Sequence, residues 1–237
     1  MTTSQAAEEL GVTSVAVRKL VGSGSLTASA RIGRNILVDR SSVVRLKNRG
    51  TRVGRPWSAD MAWGALAMLS GQPTGWIDAS SRYRLRQRLR HLDAKELAAH
   101  VTTKDANRRY RVTPSAVESV AELLLSSGAA ALRDSTVAQT FGLAGGSDVA
   151  EGYVLSSEVD QLVRNFAMVP DPDGNVTLRV IADPAPVQNG ELPAPVIAVD
   201  LMDSLSSRER SAGEAVLEAA LKKWQEKNHG KSPSMAR

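Results

Sequence analysis

Apolar positions along the first fifty residues fall at helical spacing, break at a glycine, and then change to strand-like runs. Ala7 and Leu10 precede Gly11, Val12 follows it alone, and Val17 and Leu20 resume the period. The spacing predicts a short helix capped by Ser4 and ending at Leu10. A second helix is predicted from Ser14 to Val21, capped by Thr13 and stopped by Gly22-Ser23-Gly24. Crossing steeply at Gly11, the two would turn Ala7, Leu10, Val12, Val17 and Leu20 inward. The outer face of the second helix would then carry Thr13, Ser14, Val15, Ala16, Arg18 and Lys19, with Val15 equally acceptable to a core. Leu26 to Ile32 and Asn35 to Val38 are strand-like around Gly33-Arg34, a predicted hairpin. Asp39 or Ser41 can cap a closing helix through Val43, Val44 and Leu46.

Beyond Lys47 to Pro56, a basic glycine-bearing linker, the pattern becomes mixed. Helices are expected from Ala59 to Leu69 (Met61, Trp63 and Leu66 inward), from Ser80 or Ser81 to Leu92, and from Asp93 to His100. A hairpin is expected between Val101–Thr103 and Arg108–Val112, then a helix from Pro114 to Ser126 with Val117, Val120, Leu123 and Leu124 inward. Residues 128–146 are poorly periodic. Glu151 to Leu155 reads as a strand, Ser156 or Ser157 to Phe166 as a helix, and Val176 to Ile181 as a strand after the turn Asp171 to Gly174. Asp183 to Pro195 is a loop, Val196 to Met202 a buried strand or helical turn, and Ser206 to Lys227 a long helix. The predicted fold is α+β: a small N-terminal winged helix-turn-helix (residues 1–49), a linker (50–56), a larger mixed α/β domain with few strands (57–230) and a frayed tail (231–237).

Composition narrows the classes. The chain has 237 residues and no cysteine, which excludes disulfides and thiolate metal sites. It lacks an eighteen-residue apolar run and begins without a secretory signal pattern, so a cytoplasmic protein with no membrane partner is expected. The net charge of +5 is unevenly placed: residues 1–112 carry 20 Lys/Arg against 8 Asp/Glu, and residues 113–237 carry 10 against 17. A basic half suited to a polyanion is thus joined to an acidic half with another task.

The candidate chemistry is recognition of double-stranded DNA. Small polar side chains at a helix N-terminus, here Thr13 and Ser14, can approach base edges, while Arg18 and Lys19 can reach phosphates or guanine. Arg31, Arg34 and Asn35 surround the hairpin tip, where a wing meets flanking phosphates. Arg49, Arg52 and Arg55 in the linker suit a phosphate backbone or minor groove, or a solvated hinge equally well. Arg40 and Arg45 read as solvated charges. One eight-residue helix reads few base pairs, so a homodimer, or two copies on inverted repeats, is expected on DNA. Arg82, Arg84, Arg86, Arg88 and Arg90, with Lys104, Arg108, Arg109 and Arg111, add a second basic stretch, open to DNA, RNA or an acidic partner.

No cofactor, metal or catalytic set is expected. His91, His100 and His229 lack metal-ligand spacing. Gly230-Lys231-Ser232 has Gln225 where a phosphate loop needs glycine, and Gly142 to Gly146 lacks dinucleotide-binding spacing. Asp171 and Asp173 read as turn residues, Asp200 and Asp203 as helix-capping or solvated acids, and the sequon at Asn175 lacks a secretory context.

The stretch SQAAEELGVTSVAVRKLVGSGSLTASARIGRNILVDRSSV resembles the winged helix-turn-helix of excisionase and MerR-like regulators over about the first 47 residues. More widely, GRPWSADMAWGALAMLSG, RLRQRLRH, RRYRVTPSAV, EGYVLSSEVDQLV, NVTLRVI and PVIAVDLMDS together resemble actinobacterial AbiEi-type antitoxins, as loose blocks covering most of residues 1–220. The resemblance implies an autoregulating antitoxin that represses its own operon and counters a nucleotidyltransferase-like toxin of the AbiEii type. Thr13, Ser14, Arg18 and Lys19 match that family's DNA-reading helix; no residues carry over for the antitoxin surface. Two other readings stand beside it: a stand-alone transcriptional regulator or excisionase-like factor without a toxin, and a nucleic-acid-processing enzyme using the basic middle section.

Overall fold

The computed structural model describes residues 1–23, 25–33, 35–48, 56–101, 106–145, 148–187 and 190–229. Helix takes 54% of the described residues and strand 15%, which makes the fold mixed α/β.

The N-terminal unit comprises α1 (Thr3–Leu10), α2 (Ser14–Gly22), β1 (Ala28–Ile32), β2 (Asn35–Val38) and α3 (Arg40–Asn48). The cap of α1 is Thr2, not Ser4. Thr2 Oγ1 accepts from Gln5 N at 3.2 Å, and Gln5 Oε1 accepts from Thr2 N at 2.8 Å. A cap at Ser4 would have put Ala7 in the reciprocating position, with no side chain to return the bond. Gly11 ends α1 in the left-handed region at φ 65°. Its N–H donates to Glu8 O, and the Val12 N–H donates to Ala7 O at 2.9 Å. This closure leaves Val12 41% exposed, so Val12 is not among the inward residues the spacing predicted.

Thr13 caps α2, accepting from Ala16 N at 3.2 Å. Ala6, Ala7, Val17, Leu26, Val38 and Val43 make the core of this unit, with Leu10, Leu20 and Leu46 at its margin. Leu26 is drawn into that core by a turn whose N–H groups at Ser25 and Leu26 donate to Leu20 O, so β1 starts two residues later than predicted. β1 and β2 pair antiparallel, and Thr2 bridges to Leu37 on the other edge of β2. Asp39 caps α3, accepting from Ser42 N at 2.8 Å, while Ser42 Oγ accepts from Thr27 N at 3.1 Å and ties helix to hairpin.

The remaining elements are α4 (Ala59–Leu69), α5 (Ala79–Leu89), α6 (Ala94–His100), β3 (Ala106–Arg111), α7 (Val117–Ala121), β4 (Leu125–Ser126), α8 (Gly128–Ala131), α9 (Ser135–Thr140), β5 (Ala150–Leu155), α10 (Val159–Asn165), β6 (Val169–Pro170), β7 (Val176–Ile181), α11 (Ala194–Met202) and α12 (Ser207–His229). The strands form one sheet in the order β4-β5-β7-β3-β6, with β5 and β7 parallel and the other pairs antiparallel. Central β7 is buried on both faces. By the two-residue alternation of a strand, Val176, Leu178 and Val180 join Tyr110, Ala150, Val154, Val120 and Leu162 in one layer. Ile181 and Tyr153 face the opposite, larger layer built from α4, α5, α6, α11 and α12, where Trp63, Leu66, Leu85, Leu97, Leu201, Leu217, Leu221 and Trp224 interlock.

Several expectations for this region need correction. α5 starts one residue earlier than predicted, because Asp78 caps it by accepting from Ser81 N at 2.8 Å. It stops at Leu89, and Gln225 Nε2 donates to the carbonyls of Leu89 and Leu92. β3 pairs with β7 and β6; Val101 closes α6, and the rest of the predicted partner strand, Thr102 and Thr103, lies outside the described residues. The predicted helix from Pro114 to Ser126 is a 3₁₀ turn, the short α7, and β4, since Leu125 and Ser126 pair with Tyr153 and Gly152 instead. Leu123 is 58% exposed, not inward. Residues 128–146 contain α8 and α9, and Val196 to Met202 lies within a buried helix, α11. Among the described residues no helix is long and apolar enough to cross a membrane.

Candidate nucleic-acid interface

The outer face of α2 is set by what its inner face must bury. Val17 is fully enclosed against Ala6 and Ala7. At 100° per residue this points Thr13, Arg18 and Lys19 to solvent, with Ser14 and Ala16 half-buried. Val15 is 55% exposed, which resolves its alternatives in favour of the surface. Neither Arg18 nor Lys19 has an acidic partner among the described residues, and Lys19 lies in the last turn of α2, at the negative end of the helix dipole. Arg31 is exposed on β1, every residue of which faces water, and Ile32 at its tip is 64% exposed. Asn35 opens β2, exposed and opposite Ile32. Arg34, Arg49, Arg52 and Arg55 lie outside the described residues. The acids of the unit sit elsewhere: Glu8 and Glu9 line a groove with Met1, Gln5 and Arg40.

Arg45 departs from its reading as a solvated charge. Burial, then the nearby Arg109 guanidinium, lowers it to about 10, against the opposing pull of Asp39, Asp203 and Glu151. The side chain is half-buried.

The second basic stretch divides by partner. Arg82 donates to Ile77 O at 3.4 Å, and Arg90 donates to Gln87 Oε1 and to Asn228 O at 3.1 and 3.2 Å. Arg109 donates to Pro172 O at 3.0 Å, and Arg111 pairs with Asp171, whose carboxyl is held below its usual range chiefly by that hydrogen bond. These four are committed to holding the fold. Arg84, Arg86 and Arg88 are exposed and have no acidic partner among the described residues, while Arg108 is exposed at the sheet margin. Lys104 lies outside the described residues.

Sequence reasoning missed one polar cluster. Arg179, 2% exposed in the middle of β7, bonds Glu151 on β5 through Nε at 2.9 Å and Asp200 on α11 through Nη1 at 3.0 Å. Asp200 Oδ2 also accepts from Tyr153 Oη at 2.8 Å and from Ser127 Oγ. Burial pushes Glu151 above the usual carboxylate range, with Arg179 pulling it back. Asp200 is thus neither a cap nor solvated. Its carboxylate is enclosed and engaged by three side chains, an arrangement that ties α11 and α8 to the sheet. The available signal was the lone arginine in VTLRVI: a charge inside an otherwise strand-like apolar run needs a buried counter-charge. Among the described residues no group of three His, Asp or Glu is placed to hold a metal.

The outward α2 face and the hairpin beside it thus form a cationic surface whose Arg18 and Lys19 have no acidic partner among the described residues, whereas the sheet arginines Arg109, Arg111 and Arg179 are engaged within the chain. Comparison with family models, with curated proteins and with solved structures finds no match for this chain.

Proposed function

We propose that this chain is an autoregulating antitoxin: residues 1–48 act as a winged helix-turn-helix that binds operator DNA, and the larger region counters a nucleotidyltransferase-like toxin. The observation that carries the DNA-binding half is the α2 face. A helix pinned by Val17 and Ala7 presents Thr13, Arg18 and Lys19 outward, with Ser14 half-buried at its start, without a neutralising acid among the described residues and next to a hairpin bearing Arg31. With side chains an α-helix is about 10–12 Å across, which fits a major groove about 12 Å wide, and at 1.5 Å per residue the nine residues of α2 extend about 13 Å. So short a reader suits two copies on inverted repeats. The antitoxin half rests on the resemblance of the sequence blocks.

The test is footprinting and gel-shift of the full chain on the duplex upstream of its own gene. Arg18→Ala and Lys19→Ala should each weaken binding by about 5- to 150-fold, the equivalent of ~1–3 kcal/mol. Unchanged binding by the double variant would remove α2 as the reader. Co-expression with the adjacent gene tests the other half: growth rescue should survive in the R18A/K19A chain. A chain that binds its promoter but rescues nothing would be a stand-alone regulator.

A further inference from the structure

The arginines of α5 are not evenly scattered. Successive residues turn by 100°, so Arg84, Gln87 and Arg88 fall in one row, extended by His91 just past the end of the helix, while Leu85 and Leu89 face the core. Arg88 is held over the Trp57 ring, 5.9 Å from its centroid, and Trp57 in turn stacks on His100 with centroids 4.8 Å apart and planes 4° apart. Gln87, Arg88 and His91 form one wall of an open groove of about 730 Å³ whose opposite side is Trp57, Met61 and His100. Arg84 donates to Ser81 Oγ at 3.1 Å. Neither Arg84 nor Arg88 pairs with a carboxylate among the described residues, and α5 itself contains no acid. Two of the five arginines, Arg82 and Arg90, are engaged by backbone carbonyls, and of the three exposed ones, Arg84, Arg86 and Arg88, the row holds two.

We propose that this row is a second nucleic-acid contact that grips duplex phosphates outside the bases read by α2. Arginine suits the task because its planar guanidinium matches two phosphate oxygens at once, and Arg84 and Arg88, one turn apart, stand about 5–6 Å from each other at Cβ. The polar character of the row favours nucleic acid over a protein partner. Protein interfaces are depleted of charge at their centre and enriched in large apolar groups, whereas DNA interfaces are polar and positive. The row offers four hydrogen-bonding side chains, and the apolar groups beside it, Met61 and Leu92, are half-buried. The proposal rests on the reading that the chain binds duplex DNA, and assigns part of that affinity to a surface separate from residues 1–48.

The experiment uses the full chain and a random-sequence 30-base-pair duplex, followed by fluorescence anisotropy between 50 and 200 mM salt. Every phosphate that a variant no longer neutralises should lower the slope of log K against log salt by about 0.9. Arg84→Gln with Arg88→Gln should therefore reduce the slope by about 1.8 and weaken binding on the order of 10-fold at 100 mM salt. Lys223→Gln with Lys227→Gln, which removes the same charge from exposed positions of α12, should leave the slope unchanged. An R84K/R88K chain should keep most of the slope, which separates charge from folding. If the glutamine variant keeps its slope while R18A/K19A loses it, the α5 contact is overturned and the α2 reading stands. If the reverse holds, the α5 contact stands alone. An equal drop in the α12 control would reduce the effect to net charge and overturn the proposal, as would unchanged duplex binding combined with loss of toxin binding by the α5 variant.

Discussion

Replacing Arg179 with methionine removes the one cation enclosed with two carboxylates. In the folded chain Arg179 is 2% exposed, the Glu151 side chain 16% and the Asp200 side chain 0%. Methionine fills most of the volume but supplies no charge, so both acids are left without their guanidinium; breaking a buried pair in this way costs about 3–5 kcal/mol. With a urea m-value of about 2–3 kcal/mol/M, the midpoint should fall by about 1–2 M. Tryptophan fluorescence is the right probe, because Trp57, Trp63 and Trp224 all belong to the layer that α11 completes, and residues 1–48 contain no tryptophan. The loss should depend on pH with a defined sign. Glu151 is already raised above 4.5 by burial, so the folded chain binds more protons than the unfolded one as pH climbs through the range above 4.5, and this group's contribution to stability falls with rising pH. Without Arg179 the carboxyl rises further and the fall steepens. The variant should lie nearest to the parent at about pH 4 and furthest from it at about pH 8. A deficit below about 1 kcal/mol at pH 8, or one that grows as pH drops, would refute the account of Arg179 as the charge that permits burial of the two acids.

Two further outcomes follow from local geometry. Gly11→Ala and Gly128→Ala both force alanine into the left-handed region, at φ 65° and 53°, but a Cβ at Gly11 meets nothing within 4 Å, whereas at Gly128 it would collide with the Glu151 carboxylate. Gly11→Ala should cost about 1–2 kcal/mol and Gly128→Ala clearly more in chemical denaturation; equal costs would show that the carboxylate gives way freely. Thr13 caps α2 as well as standing on the proposed reading face, so Thr13→Ala should lose about 1 kcal/mol of stability in the N-terminal unit by hydrogen exchange, while Thr13→Ser should keep it. Operator affinity that falls in T13S as well would assign the threonine methyl to base contact.

The N-terminal unit was legible because its signals are local. Gly11, Thr13, Gly33 and Asp39 act on neighbours within four residues: Gly11 ends α1, Thr13 caps α2, Gly33 takes a positive φ at the hairpin, and of the two caps offered for α3 Asp39 is the one used. The capping error there concerns reciprocity: Ser4 is a good capping residue in isolation, yet Thr2 wins because Gln5 can return its bond. Farther along, the pattern failed where sheet pairing set the structure. Residues 125 and 126 have helical neighbours and become a strand only because Tyr153 and Gly152 are there to pair with them. β3 likewise takes its partners from residues about 60 to 70 positions away, which no hairpin signal reports. The buried cluster lay deeper still, since its three charges come from strands β5 and β7 and helix α11.

Sorting the basic residues by what they touch changes the meaning of the charge asymmetry. Counted along the sequence, the basic half looks uniformly suited to a polyanion. In the fold, Arg82, Arg90, Arg109 and Arg111 are bound to carbonyls or to a carboxylate, and Arg45 is half-buried. A guanidinium already satisfied and partly desolvated releases few counterions when a phosphate approaches, so it adds little to the salt dependence of binding. What remains exposed among the described residues includes Arg18, Lys19 and Arg31 around α2 and the hairpin, Arg84, Arg86 and Arg88 on α5, and Arg108 at the sheet margin. The salt slope of the whole protein should accordingly follow these free cations, not the total count of lysine and arginine. Replacing Arg109 or Arg111 should lower stability while leaving that slope in place, and the opposite result would mean that these two, too, lie against DNA.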